Sequence, residues 1–363
     1  MDKLYIATGQ DPLRMTLDLL NNVHPLKGKD KDIKIGIKPN LVCASPASQG
    51  ATTHPEIVEG IIIYLQQNGF KNIRIIEGAW VGDNTKRAFK VCGYEDLSKR
   101  YNVPLVDLKD DSWVTRSYKG LDLKVCKTVF DIDYLINVPL IKGHCQTGIT
   151  CALKNLKGLI PDSEKRRLHT MGINKPIAWL NAVIKQDLII ADGICPDPYF
   201  EEGGRPANLN RILLGFDPVL MDCYAAHILG YKPEDIKYIK LAQDEGIGRP
   251  LSDNTRIINI YEPDHQDDTR IIQKDKKYLK IVDEADACSA CYSNLASALE
   301  QLNSMGITEK FADQICIGQA YRGYKGVLGI GNCTSSFKIY LPGCPPKTED
   351  IIKFLKEQSN DQT

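Results

Sequence analysis

Lys142, His144, Lys154 and Lys157 crowd into one short stretch that also contains Asn155. An imidazole moves protons near neutral pH and ammonium groups hold anions, so this set suits a small carboxylic acid undergoing proton transfer. A second set is all sulfur: Cys288 and Cys291 in a C-x-x-C pair, Cys333 after Gly331-Asn332, and Cys344 between Gly343 and Pro345-Pro346. Four thiolates serve zinc or an iron–sulfur cluster. The later pair, Cys333 to Cys344, is not a tight one, and cysteine followed by proline is a feature of iron–sulfur proteins. Cys316, inside Ile315-Cys316-Ile317, reads as a small packed hydrophobe.

These groups need elements to place them. Tyr134 to Val138 is a short apolar run stopped by Pro139, which predicts a buried strand. Beyond it, Thr147, Thr150, Lys154 and Lys157 fall three or four apart, opposite Ile149, Leu153, Leu156 and Ile160, which predicts an amphipathic helix. A turn at Gly143-His144 would then hold Lys142 and His144 at the helix start, where unpaired N–H groups favour an anion. A solvated helix face accounts for the same stripe. Further strands are expected at Ile33–Ile37, ending in Lys38 and Asn40, at Asn72–Ile76, ending in Glu77, and at Asp187–Ala191, ending in Asp192. Helices are expected over Pro12–Asn22, after a capping box Thr53 to Glu56 with Gly69 as the stop, and from Asp217-Pro218; Lys99 to Lys127 reads as a charged periphery. Ligands of open α/β sheets bind outside the carboxyl ends of strands. Lys38, Asn40, Glu77, Asn155, Lys157 and Asp192 are therefore candidates to bind a ligand on which Lys142, His144 and Lys154 act. His54 is accounted for by the helix start, and His227 by a hydrogen-bonded place in its helix.

A chain of 363 residues holds a large domain and a small one. Lys+Arg and Asp+Glu balance at 46 each, so no overall basic field points to nucleic acid. No apolar run reaches membrane-spanning length and no export signal precedes the first strand, so the twelve cysteines are expected as thiols or metal ligands in a cytoplasmic protein. The expected fold is α/β over residues 1–262, a largely parallel sheet with helices on both faces. Residues 263–283 read as linker and strand, with strands at Arg256–Ile260 and Tyr278–Val282. Residues 284–363 read as a small α/β cysteine module.

Ile37-Lys38-Pro39-Asn40, Ala51-Thr52-Thr53-His54-Pro55, Asn137 to Lys142 and on through Lys154-Asn155 to Gly158, and the Asp192-Gly193 loop resemble the DUF362 family of iron–sulfur-associated proteins. The resemblance implies a [4Fe–4S] cluster on Cys288, Cys291, Cys333 and Cys344, with zinc as the lesser alternative. With that cluster, the leading expectation is a redox function with a small anionic ligand or a partner protein. The Gly343-Cys344-Pro345-Pro346 run is similar to a cluster motif of hydrogenase small subunits and a related complex I subunit. More distantly, His144 and Lys154 are spaced as in the N-terminal domain of nickel-pincer lactate racemase, whose matching histidine transfers protons and whose lysine carries the cofactor. Trp80 to Thr85 holds no histidine where that family has its other one, and the glycine-rich run before the lysine is absent, so the similarity implies a shared scaffold and not the pincer cofactor. A racemase- or lyase-like enzyme on a small acid and a carrier that passes its cluster to a partner are the alternatives to a redox protein.

Overall fold

The computed structural model describes residues 3–144, 146–261, 277–311 and 314–360. Residues 262–276, the last residue of the expected α/β domain and the first part of the expected linker, lie outside them. The chain divides into two compact units, residues 1–272 and 273–363.

The first unit begins β1 (Lys3–Thr8), α1 (Pro12–Val23), β2 (Ile35–Pro39), α2 (Pro55–Gln67) and β3 (Ile73–Glu77). It continues with α3 (Thr85–Val91), α4 (Tyr94–Tyr101), β4 (Leu105–Asp107), a hairpin of β5 (Trp113–Tyr118) and β6 (Leu121–Cys126), and β7 (Tyr134–Val138). Then come β8 (Lys142–His144), β9 (Gly148–Thr150), α5 (Ala152–Asn155), α6 (Asp162–Thr170), α7 (Asn174–Val183) and β10 (Leu188–Gly193). β11 (Arg211–Gly215), α8 (Pro218–Ile228), α9 (Lys237–Asp244) and β12 (Arg256–Asn259) complete it.

Eight strands form one sheet in the order β12-β1-β11-β10-β7-β2-β3-β4. Only β11 runs against its neighbours; β10, β7, β2, β3 and β4 are parallel. The central strands are apolar without alternation because both faces are covered. Ile35, Ile37, Ile75, Ile136 and Ile190 face a core with α1, α2 and α4, whereas Leu135 and Ile189 face cores with α5, α7, α8 and α9. Asp11 and Asp217 cap α1 and α8 by accepting backbone N–H groups, each ahead of a proline at the helix start.

Several expectations are corrected. No long amphipathic helix follows Pro139. Lys142 to Thr150 forms a hairpin that pairs Lys142 with Thr150 and His144 with Gly148, and only Ala152–Asn155 coils before a 3-10 turn over Leu156–Leu159. Gly148 turns the chain with φ +79°, and the β-branched Ile149 and Thr150 suit the strand that follows. The polar stripe is not solvated: Thr147, Thr150 and Lys154 are buried and Lys157 half-buried. Thr53 does not form a capping box. His54 is the N-cap of α2, and Thr53 Oγ1 instead accepts from Asn40 N–H (2.8 Å) and donates to the Val138 carbonyl (2.9 Å). The stretch Lys99 to Lys127 supplies an edge strand of the large sheet and a hairpin, and His227 is exposed.

In the second unit β13 (Val282–Glu284), β14 (Ile315–Ile317), β15 (Leu328–Ile330) and β16 (Ile339–Leu341) form a parallel sheet in chain order. Two helices, α10 (Ser289–Ser304) and α11 (Thr348–Asn360), share one core with it through Leu295, Leu299, Ile315, Ile330, Ile351 and Leu355. The strand expected at Tyr278–Val282 is displaced: Lys277–Ile281 is a 3-10 turn and β13 begins at Val282.

Candidate functional site

Because β10, β7, β2 and β3 are parallel neighbours, their carboxyl ends share one edge of the sheet, and the polar residues that stop them meet there. Lys38, at the end of β2, is 1% exposed and its Nζ donates to Glu77 Oε2 at the end of β3 (2.8 Å), to the Pro39 carbonyl and to Asn155 Oδ1. Burial lowers the Lys38 pKa, and Glu77 opposes the shift. Glu77 also accepts from the N–H groups of Leu41 (3.0 Å) and Gly78 (2.7 Å).

From Asn155 a chain of side-chain amides runs through the interior. Asn40 Nδ2 donates to Asn155 Oδ1, Asn155 Nδ2 to Asn137 Oδ1, and Asn137 Nδ2 to Gln186 Oε1. Asn40 Oδ1 in turn accepts from Lys142 Nζ (3.2 Å), which joins this network to the hairpin. Such a network is rigid because each member fixes the orientation of the next.

Gly158 is where the turn after α5 touches the ion pair. A Cβ there would meet Glu77 Oε1 at 2.2 Å and Lys38 Nζ at 2.6 Å. Gly158→Ala is therefore expected to push the pair apart and to destabilise the first unit by about 1–3 kcal/mol in urea unfolding, the usual cost of forcing atoms into a packed interior.

The second half of the site surrounds a carboxylate of the chain itself. Glu201 Oε1 accepts from Lys154 Nζ (2.6 Å) and Glu201 Oε2 lies 3.0 Å from His144 Nε2. Lys154 also donates to Thr150 Oγ1 (3.2 Å), one turn before it. Lys142 Nζ holds the backbone carbonyls of Glu201 (2.8 Å) and Ala51 (2.6 Å). Nδ1 of His144 accepts from the backbone N–H groups of Gln146 and Thr147, both at 3.1 Å, so the ring proton sits on Nε2 and is donated to Glu201. Burial lowers the His144 pKa to about 4 even with Glu201 beside it, which keeps the imidazole neutral at pH 7. Burial alone would raise the Glu201 carboxyl, yet His144, Lys154 and Lys142 hold it well below the usual range. Lys142 is lowered to about 8 by burial and by Lys154.

Glu201 is the outermost member. It retains 17% of its side chain in solvent, against 5% for Lys154 and 1% for His144 behind it. Asp197 shapes its loop by accepting from the N–H groups of Tyr199, Phe200 and Arg205. The loop lies flat on the hairpin because Gly143 has no side chain: a Cβ there would meet the Pro198 carbonyl at 2.2 Å.

Of the residues expected from sequence, Lys38, Asn40, Glu77, Lys142, His144, Lys154 and Asn155 are thus joined in one polar assembly. Lys157 adjoins it and pairs with His169 Nε2 (2.9 Å). Burial and Lys154 lower Lys157 to about 7, while burial and Lys157 lower His169 to about 3. Asp192 does not join. Its Oδ2 accepts from both N–H and Nδ1 of His54, each at 2.8 Å, and its Oδ1 from Ile194 N–H. Sequence reasoning passed over Glu201, Asn137, His169 and Gln146. Only the first carried a signal, as an acidic pair beside Gly203-Gly204 in a loop after a strand end. Gln146 Oε1 is the one buried side-chain oxygen or nitrogen without a hydrogen-bond partner among the described residues.

In the second unit Cys288 caps α10 and Cys291 lies in its first turn, while Cys333 and Cys344 follow β15 and β16. The thiols of Cys288 and Cys291 hydrogen-bond to each other, which lowers Cys288 and raises Cys291. Cys333 and Cys344 lie near enough to raise Cys291 further. Arg322 donates to Cys333 and also lies near Cys344 and Cys288. The two loops are pinned together by Asn332, whose N–H donates to the Gly343 carbonyl (3.0 Å) and whose Oδ1 accepts from Gly343 N–H (2.8 Å). Cys316 is half-buried, not packed inside, and pairs with Tyr321. Among the described residues no three His, Cys, Asp or Glu side chains lie close enough to hold a metal ion. The four thiols nevertheless fit an iron–sulfur cluster in kind: all are sulfur, two at the start of α10 and two just after β15 and β16, with a guanidinium beside them.

The chain is 26% identical over 246 residues, 62% of its length and 73% of the relative's, to the thylakoid-associated protein sll1697 of Synechocystis sp.. A solved structure, the lactate racemase apoprotein of Thermoanaerobacterium thermosaccharolyticum, is similar with a TM-score of 0.39 and 14% identity over 58% of this chain, which spans only 54% of that one. Residues 35–227, the segment holding every member of the strand-end site, match the family described as Domain of unknown function (DUF362), and the chain belongs to that family.

Proposed function

We propose that the first unit binds a small carboxylic acid in the place where Glu201 now lies. We propose further that the second unit carries a [4Fe–4S] cluster on Cys288, Cys291, Cys333 and Cys344, for redox exchange with that ligand or with a partner protein. The grip on Glu201 carries the first part. A carboxylate is held there by an imidazole N–H and an ammonium group, both buried, from a loop at the mouth of the site. Lys154 would take the ligand's carboxylate, and His144, with Nδ1 tied to backbone, would hold or move a proton at Nε2 only. A bound cluster would supply one-electron exchange. A cytoplasmic setting remains part of the proposal, on the twelve cysteines, and no helix among the described residues is long and apolar enough to cross a membrane.

Lys157 favours a second reading, a racemase- or lyase-like proton transfer without redox. An ammonium group lowered to about 7 beside a neutral imidazole exchanges protons at neutral pH. A shift of the protein's reduction potential on adding the acid would favour the redox reading; unchanged potential with solvent-proton exchange into the acid would favour the other.

Removal of Glu201 tests the binding site itself. Glu201→Ala leaves Lys154 and His144 without their carboxylate, so the variant is expected to melt lower and to bind acetate or lactate about tenfold tighter or more, the gain from deleting a competitor worth about 1.4 kcal/mol. Millimolar lactate should restore its melting temperature. Absence of both binding and rescue would remove the support for the site. In the wild type, affinity is expected to fall between pH 6 and pH 9, because Lys157 near 7 and Lys142 near 8 lose the protons that attract the anion. Calorimetric titration across that range reads the trend, and affinity that rises with pH would contradict it.

A further inference from the structure

Away from the carboxylate site, three side chains are placed as nucleophile, base and orienting acid. His54 Nδ1 lies 2.8 Å from Asp192 Oδ2, and His54 Nε2 lies 3.3 Å from Cys195 Sγ. Asp192 is fully buried and fixed by two further backbone N–H donors, so its charge sets the ring's orientation. His54 enters from the start of α2, whereas Asp192 and Cys195 lie at the end of β10 and in the loop after it. Nothing in the strand-end network uses this trio.

We propose that Cys195, with His54 and Asp192, is a thiolate site that reacts with small uncharged hydroperoxides. The pairing fits the chemistry. Burial would lower the His54 pKa, but Asp192 and Cys195 together raise it to about 11, so a protonated imidazole N–H faces the sulfur at 3.3 Å. Access selects the partner: with Cys195 8% exposed and His54 partly exposed, a molecule as small as hydrogen peroxide is favoured over a bulky acyl donor. In the step, the thiolate attacks one peroxide oxygen, the S–O bond forms as the O–O bond breaks, and sulfur gives up two electrons. The departing hydroxide takes the proton from His54 Nε2 and leaves as water, and Cys195 becomes a sulfenic acid.

Cys43 provides the internal control. It is more exposed than Cys195, yet burial and nearby carboxylates push its thiol up to about 11. The full-length protein is treated with limiting hydrogen peroxide, trapped with dimedone, and mapped by peptide mass spectrometry. Cys195 is expected to be labelled at least about tenfold faster than Cys43, and His54→Gln to slow Cys195 by a similar factor while leaving Cys43 unchanged. Reaction at Cys43 first would show that access alone governs the thiols and would overturn the proposal. So would an unchanged Cys195 rate in folded His54→Gln. Should that variant not fold, the order of labelling in the wild type decides by itself.

Discussion

Replacing Lys38 with methionine is expected to destabilise the first unit by about 3–5 kcal/mol, the cost of leaving a buried carboxylate without its cation. Methionine fills much of the space of the lysine stem, so the loss is electrostatic and not a cavity. Glu77 would keep its two backbone donors, from Leu41 and Gly78, but Asn155 Oδ1 would lose one of its own. The effect should therefore extend along the amides to Asn40 and Lys142. All three tryptophans, Trp80, Trp113 and Trp179, belong to the first unit, so fluorescence-detected urea unfolding reports it alone. Adding Glu77→Gln to Lys38→Met should recover part of the loss, because a neutral amide oxygen still accepts from the backbone without the cost of a lone charge. A single-variant loss below about 1 kcal/mol, the range of exposed ion pairs, would show that the pair is not the anchor described.

The strands were legible because they are covered on both faces. Tyr134–Val138 needed no pattern beyond five apolar or uncharged residues before a proline, and its neighbours ended where Lys38, Glu77 and Asp192 signalled polar ground. The same reasoning located most of the site, since parallel strands put their last residues on one edge. It failed where contacts are distant or competing. Thr147 to Lys157 satisfies a helical period, yet Gly148 and the pairing of Lys142 with Thr150 override it. Glu201 reaches His144 and Lys154 from a loop on the far side of α6, α7 and β10 in sequence, and no local pattern encodes that return. His54 was assigned only to the start of α2. That was correct for its backbone and blind to its ring, because Asp192 and Cys195 lie on a different strand end.

Protein prepared without oxygen is expected to be brown and to contain about four iron and four sulfide per chain. The ground is the placement of Cys288, Cys291, Cys333 and Cys344 at one end of the small sheet, within reach of each other's charge. Cys344→Ala should lose or destabilise the cluster, since the exposed loop that carries it has no second thiol to offer. Cys316→Ala should keep it, because that thiol pairs with Tyr321 and lies near Asp283. The reverse pattern would replace one ligand of the set. Stoichiometric zinc without sulfide would overturn the cluster and leave four thiolates around a structural ion, and with it the redox reading. Arg322 tests where the cluster sits. Its guanidinium sits beside Cys333 and near two other thiols, and positive charge favours the reduced, more negative cluster. Arg322→Gln is thus expected to lower the reduction potential while the iron content stays full. An unchanged potential in voltammetry would mean that Arg322 does not face the cluster and that the arrangement of the four cysteines differs from the one described.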